Sequence, residues 1–218
     1  MEQRPRFPYL HEVFNSITHG IGVLLSIAAL VLLLVFAVIR NGDAWQIVSF
    51  SIYGASLIIL YLSSTLFHAI QRPRTKRFFN LLDHASIFIL IAGTYTPFCL
   101  VPLRGPWGWT LFGIIWGLAI AGVLFKIFYY SERWRIVGTI IYIAMGWLIL
   151  IALRPLLQNV PEGALLLLLG GGLSYSFGVI FYLWRRFRFN HVVWHLFVLG
   201  GSICHFFAIF LHLMPKAQ

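Results

Sequence analysis

Long apolar stretches recur along the chain, and the charges gather in short gaps between them. Residues lacking Asp, Glu, Lys and Arg run over 13–39, 44–71, 84–103, 105–125, 136–153, 163–184 and 189–215. Each stretch holds between 18 and 28 residues, and a helix needs about 20 to cross the hydrocarbon of a bilayer. Without water, the backbone in a bilayer must satisfy its own hydrogen bonds, as a helix does. Strands of a membrane barrel would show stretches of about ten residues with alternating polarity, and that alternation is absent. The pattern predicts an all-α, polytopic membrane protein, a seven-transmembrane helix bundle forming one domain over residues 1–218. Too little chain remains outside the spans for a soluble domain.

Punctuation fits the same picture. The segment RGPWGW at 104–109 reads as a tight turn between spans three and four. Pro97 falls inside span three and predicts a kink near its end. Gly170, Gly171 and Gly172 in span six permit close helix contact or a bend. The N-terminal MEQRPRFPYL is short and basic like a signal peptide. The apolar run that follows is too long for an h-region and ends in no small-x-small cleavage site, so it reads as an uncleaved first span. No internal repeat is visible.

Composition agrees: 60% of residues are hydrophobic and 10% charged, against about 25% charged in a soluble domain. The formal charge of +10 would suggest nucleic acid in a soluble protein. Here the location of the bases decides otherwise. With the N-terminus inside, Arg4, Arg6, Arg72, Arg74, Lys76, Arg77, Lys126, Arg133, Arg135, Arg185, Arg186 and Arg188 fall on the cytoplasmic side. Only Arg40, Arg104, Arg154 and Lys216 fall opposite. The positive-inside rule then puts the N-terminus in the cytoplasm and the C-terminus outside, and no nucleic-acid partner is needed. Cys99 and Cys204 both lie within apolar runs and read as small buried hydrophobes.

Ionisable residues inside spans are costly and mark function. At about 1.5 Å per residue from the nearest cytoplasmic base, His68 lies about 6 Å deep, His191 about 4.5 Å, His195 about 10 Å, Asp83 about 9 Å and Ser64 about 12 Å. Three separate segments thus carry polar groups to one depth. His191 and His195 form HVVWH, and Ser64 and His68 form STLFH, each an i,i+4 pair on one helix face. Three imidazoles with an open fourth position are a catalytic zinc arrangement, and zinc lowers the pKa of its water to about 7. Asp83 then suits a proton acceptor or ligand orienter, and Ser64 a hydrogen bond to the water or to a developing oxyanion.

A buried polar network explains the same residues without a metal, and the two readings weigh equally. Other divalent ions also suit such a set. His84 follows Asp83 directly and is expected about 100° away around its helix. His205 is expected in an interhelical hydrogen bond, and His212 at the outer interface. Asn15 and His19, i,i+4 partners just after Glu12, either line the same cavity or cap and pair locally.

These segments also carry a resemblance. EVFNSITHGIG (12–22), SSTLFHA (63–69), LDHASIFILIAGTYTPF (82–98), AMGW (144–147) and NHVVWHLFVLGGSICHF (190–206) together resemble hemolysin III, the bacterial branch of the progestin and adipoQ receptor family. The resemblance implies seven spans, a cytoplasmic N-terminus and a bacterial inner-membrane location. In receptor members zinc is bound by the His of SxxxH and both His of HxxxH, which implies His68, His191 and His195 as ligands here, with Ser64 and Asp83 beside them. The wider superfamily includes alkaline ceramidases, so the resemblance implies a hydrolase of a lipid amide or ester with Zn2+ as cofactor and membrane lipids as partners. The alternative is a non-enzymatic regulator or sensor of membrane lipid state with structural zinc. Cytolytic activity follows from the family name alone. The long cytoplasmic N-terminal domain of the animal receptors is missing, so no protein hormone is expected.

Overall fold

The structure is a computed structural model and describes residues 8–129, 131–184, 186 and 188–215. Arg4, Arg6, Arg185 and Lys216 of the charge count lie outside these residues, as does most of the N-terminal segment. The described residues form eight α-helices and no strand. They are α1 (Pro8–Ile39), α2 (Ala44–Ala69), α3 (Pro73–Leu100), α4 (Pro106–Phe128), α5 (Arg135–Gly146), α6 (Leu153–Asn159), α7 (Glu162–Leu183) and α8 (Asn190–His212). With α5 and α6 counted as one, seven are long and apolar enough to cross a membrane. Leu24, Ile120, Leu166 and Leu211 point outward from four of them, as side chains against lipid must.

The helix starts follow from local chemistry. Asp43 caps α2 in a reciprocal box: Gln46 N–H donates to Asp43 Oδ1 at 2.9 Å, and Asp43 N–H donates to Gln46 Oε1 at 3.1 Å. Gln46 Nε2 also donates to the Leu213 carbonyl at 2.9 Å, fastening the start of α2 to the end of α8. Pro73 and Pro106 open α3 and α4, where a missing N–H costs nothing. Gly105 sits at φ +143°, a conformation that glycine alone adopts easily, and makes the sharp entry to α4.

The arc runs α4–α3–α2–α1–α8–α7, tightly packed except at the looser seam between α1 and α8, and α5 touches α3, α4 and α7 sparsely. Phe50, Tyr53, Leu57, Phe88, Leu111 and Ile115 form a buried core where α2, α3 and α4 meet. On the other side, Ser202 of α8 takes the Tyr61 hydroxyl of α2 at 2.7 Å and meets the Tyr175 hydroxyl of α7 at 2.8 Å. A methyl group at Gly171 would strike the His205 ring and lie 3.1 Å from the Gly201 carbonyl, so α7 and α8 touch here through backbone.

Two elements differ from expectation. α3 begins at Pro73 rather than at 84, because Arg74, Lys76 and Arg77 leave the hydrocarbon without stopping a helix. Span five is expected as a single run over 136–153, yet the helix breaks after Gly146. A 3-10 turn, Leu148–Ala152, separates α5 from α6. The backbone groups freed there meet one side chain of α3. The Tyr95 hydroxyl faces the Met145 and Gly146 carbonyls at 2.8 and 2.9 Å and accepts the Ile149 N–H at 2.8 Å. The Trp147 indole N–H donates to Ser176 Oγ of α7 at 3.0 Å. At Pro97, by contrast, α3 remains helical through to Leu100.

Candidate metal centre

α2 delivers His68 on its last turn, and α8 delivers His191 and His195 on its first two. The ring centroids of His68 stand 5.1 Å from those of both His191 and His195, which are 4.5 Å apart from each other. One nitrogen from each lies within 4.8 Å of the other two. Zinc–nitrogen bonds are about 2.0–2.1 Å, so small side-chain rotations would draw the three onto one ion.

The hydrogen bonds around the rings indicate which nitrogens face the centre. His68 Nδ1–H donates to Glu12 Oε2 at 2.8 Å, and Lys76 Nζ lies 3.2 Å from the same oxygen. That assigns the lone pair of His68 to Nε2, which is buried with no hydrogen-bond partner among the described residues. The Thr18 hydroxyl has the Phe14 and Asn15 carbonyls at 2.9 Å to receive its hydrogen. Its oxygen, 3.3 Å from His195 Nδ1, is then left to accept. His195 likewise presents Nε2. His191 Nε2, like His68 Nε2, is buried and has no hydrogen-bond partner among the described residues. Leaving a buried polar atom unsatisfied costs about 1–3 kcal/mol, and an ion relieves the orphaned nitrogens together. The donor set therefore fits a metal such as zinc.

α1 adds a fourth imidazole, that of His19. Its ring stacks on His195 with centroids 3.5 Å apart and planes 13° from parallel, and neither of its nitrogens has a hydrogen-bond partner among the described residues. His19 is not among the three residues whose nitrogens converge, so it covers one face of the centre. Asn15 Oδ1 is also buried and unpartnered.

His191 and His195, but not His68, line one end of a cavity of about 340 Å³ whose walls come from α1, α2, α3, α5, α6, α7 and α8 and the 3-10 turn. His19, Asp83, His84, His191 and His195 line its polar end. Along α3 the lining runs from Asp83 to Phe98, about 22 Å at the helical rise. Beyond Asp83 and His84, and apart from the hydroxyls of Thr94 and Tyr95, that stretch of wall is apolar.

The sequence-predicted residues divide as follows. His68, His191 and His195 come together. Asp83 lines the cavity at their end but stands outside the converging set. Ser64 is fully buried one turn before His68, its Oγ unpartnered, and it is not among the cavity-lining residues. His84 lines the cavity too, against expectation. Its Nδ1–H turns back to the Asn80 carbonyl at 2.9 Å, and the cavity is broad enough to meet both neighbours on α3. His205 makes its expected interhelical bond, to the Leu168 carbonyl at 3.4 Å. Sequence reasoning missed the Glu12–His68 and Thr18–His195 contacts. The available signal was a carboxylate at the end of span one, close to the depth of His68.

The sequence matches the family described as Haemolysin-III related over residues 7–206. It is 52% identical over 207 residues to "Hemolysin-3" of Bacillus cereus, covering 95% of this chain and 94% of that protein. It is 50% identical over 206 residues to "Hemolysin-3 homolog" of Bacillus subtilis (strain 168), covering 94% and 96%. A human protein named "Monocyte to macrophage differentiation factor" is 30% identical over 179 residues, covering 79% of this chain and 74% of its own length.

Proposed function

Because the chain belongs to the haemolysin-III-related family of multi-pass membrane proteins, we propose that it is a zinc-dependent hydrolase acting on an amide or ester bond of a membrane lipid. One observation carries the reading: two of the three clustered imidazoles, His191 and His195, line the polar end of a long apolar cavity, with His68 beside them. In this reading His68, His191 and His195 hold the ion. A bound zinc supplies Lewis acidity and an activated water near neutral pH. Asp83, at the same end of the cavity, takes up the proton released. Ser64 offers a hydroxyl one turn before His68 on α2. The apolar walls hold an acyl chain and keep bulk water from the reacting carbonyl. A pocket of this size lies within the range for small-molecule sites, about 300–1,000 Å³.

The distribution of Lys and Arg supports a cytoplasmic position for the histidine end. The bacterial relatives suit a location in the bacterial inner membrane. Substrate then enters sideways from the inner leaflet, where α5 packs sparsely against α7.

The broken fifth span favours a second reading, in which zinc is structural and lipid in the cavity shifts helix packing in a sensor or regulator. The two separate by experiment. Elemental analysis of detergent-purified protein is expected to give about one zinc per chain in wild type and little in His68→Ala or His191→Ala. Wild type should also cleave a lipid amide or ester, and the variants should not. Zinc without turnover on lipid amides and esters supports the regulator, and a folded wild type without metal overturns both readings.

A further inference from the structure

We propose that Glu12 is a positioning residue for the metal centre. Its carboxylate fixes the His68 imidazole as the Nδ1–H tautomer, so that Nε2 faces His191 and His195. The inference rests on the zinc reading above and deepens it by assigning a residue outside the converging trio.

Glu12 lies on the second turn of α1, about 31% exposed, while His68 on α2 is 4% exposed. A half-shielded carboxylate therefore reaches across a helix interface to the buried edge of a ring, at 2.8 Å. An imidazole that donates from one nitrogen presents a lone pair at the other, and a negative acceptor raises the basicity of that lone pair. The opposite nitrogen of His68 is a buried atom without a partner, so the polarised lone pair points toward the centre. Lys76 holds the same carboxylate oxygen from α3 at 3.2 Å. Its ammonium also lies 5.0 Å from the Phe67 ring centroid, beside His68 in sequence. Lys76, Glu12 and His68 thus join three helices in one line of contacts ending at the ligand nitrogen. His195 has a neutral hydroxyl at its Nδ1, whereas His68 has a charged acceptor there.

The test measures zinc affinity of the full-length protein in detergent by competition with a chromogenic chelator. It compares wild type, Glu12→Gln, Glu12→Ala and His68→Ala, alone and combined. Outer-shell partners of metal-ligating histidines typically govern about 10–100-fold in affinity. Glu12→Ala is expected to weaken zinc binding by that factor, and Glu12→Gln, which keeps an accepting oxygen but loses the charge, by less. In a His68→Ala background, Glu12→Ala should change zinc affinity no further, a coupling that a merely structural role would not produce. Nitrogen NMR of histidine-labelled, chelator-treated protein supplies a metal-free readout: His68 should be Nδ1-protonated in wild type and shift toward the other tautomer in Glu12→Ala. Equal zinc affinity in wild type and Glu12→Ala, or an Nε2-protonated His68 in wild type, overturns the positioning role and leaves the metal reading standing. A wild type that takes up no zinc, with its tautomer as expected, overturns the metal reading instead.

Discussion

At the scale of single residues, the centre depends on where three imidazole hydrogens sit. Thr18 shows how little is needed to direct one of them. Its hydroxyl hydrogen faces backbone carbonyls of its own helix, which leaves the oxygen for His195. Thr18→Val keeps the shape and removes that acceptor. It is expected to weaken zinc binding by about 1 kcal/mol, roughly fivefold, measurable by the same chelator competition. An unchanged affinity would show that His195 needs no such partner. The histidines themselves were legible because i,i+4 spacing and depth are both one-dimensional quantities. Glu12 and Thr18 were not legible as partners, and for His19 the spacing left lining the cavity and local pairing equally open. They reach the trio from a neighbouring helix, and the rotation of one helix against another is set by packing rather than spacing. The face expected for His84 failed for a related reason: an angle around a helix does not fix how wide a cavity opens beside it.

At the scale of the element, charge-free length located all seven spans, since a bilayer admits little else. It misjudged α3, which continues beyond the hydrocarbon, and it could not see the break in span five. That break contains no charge and no proline to announce it, only Gly146 ahead of Trp147. Its cause lies on another helix, in the Tyr95 hydroxyl that takes up the freed backbone groups. Tyr95→Phe removes the only oxygen of that side chain and leaves the Met145 and Gly146 carbonyls and the Ile149 N–H short of a partner. The expected cost is about 1–3 kcal/mol, read as a lower thermal midpoint, with zinc content unchanged. An unaltered midpoint would mean that the 3-10 turn holds itself.

At the scale of the whole molecule, the arrangement is an arc of well-packed helices with a polar centre at one end and a cavity along its inner side. The cavity was not legible in the sequence, because it is a place where side chains fail to meet, and apolar composition looks the same in a filled core. Its role can be tested apart from the metal. Ile91 lines the cavity on α3 away from the histidines, so Ile91→Trp fills space without touching the centre. Lipid hydrolysis is expected to fall at least tenfold with zinc content retained. Undiminished hydrolysis would show that substrate travels elsewhere. The fifth span bears on this directly. A rod whose α-helical ladder gives way to a 3-10 turn at mid-height, pinned there through Tyr95 and Trp147, acts as two levers on a shared fulcrum, because the ladder that carries tilt from one half to the other is interrupted. Tilt of the half in one leaflet is then passed only weakly to the half in the other, so the two sides of the bilayer meet this span as separate pieces.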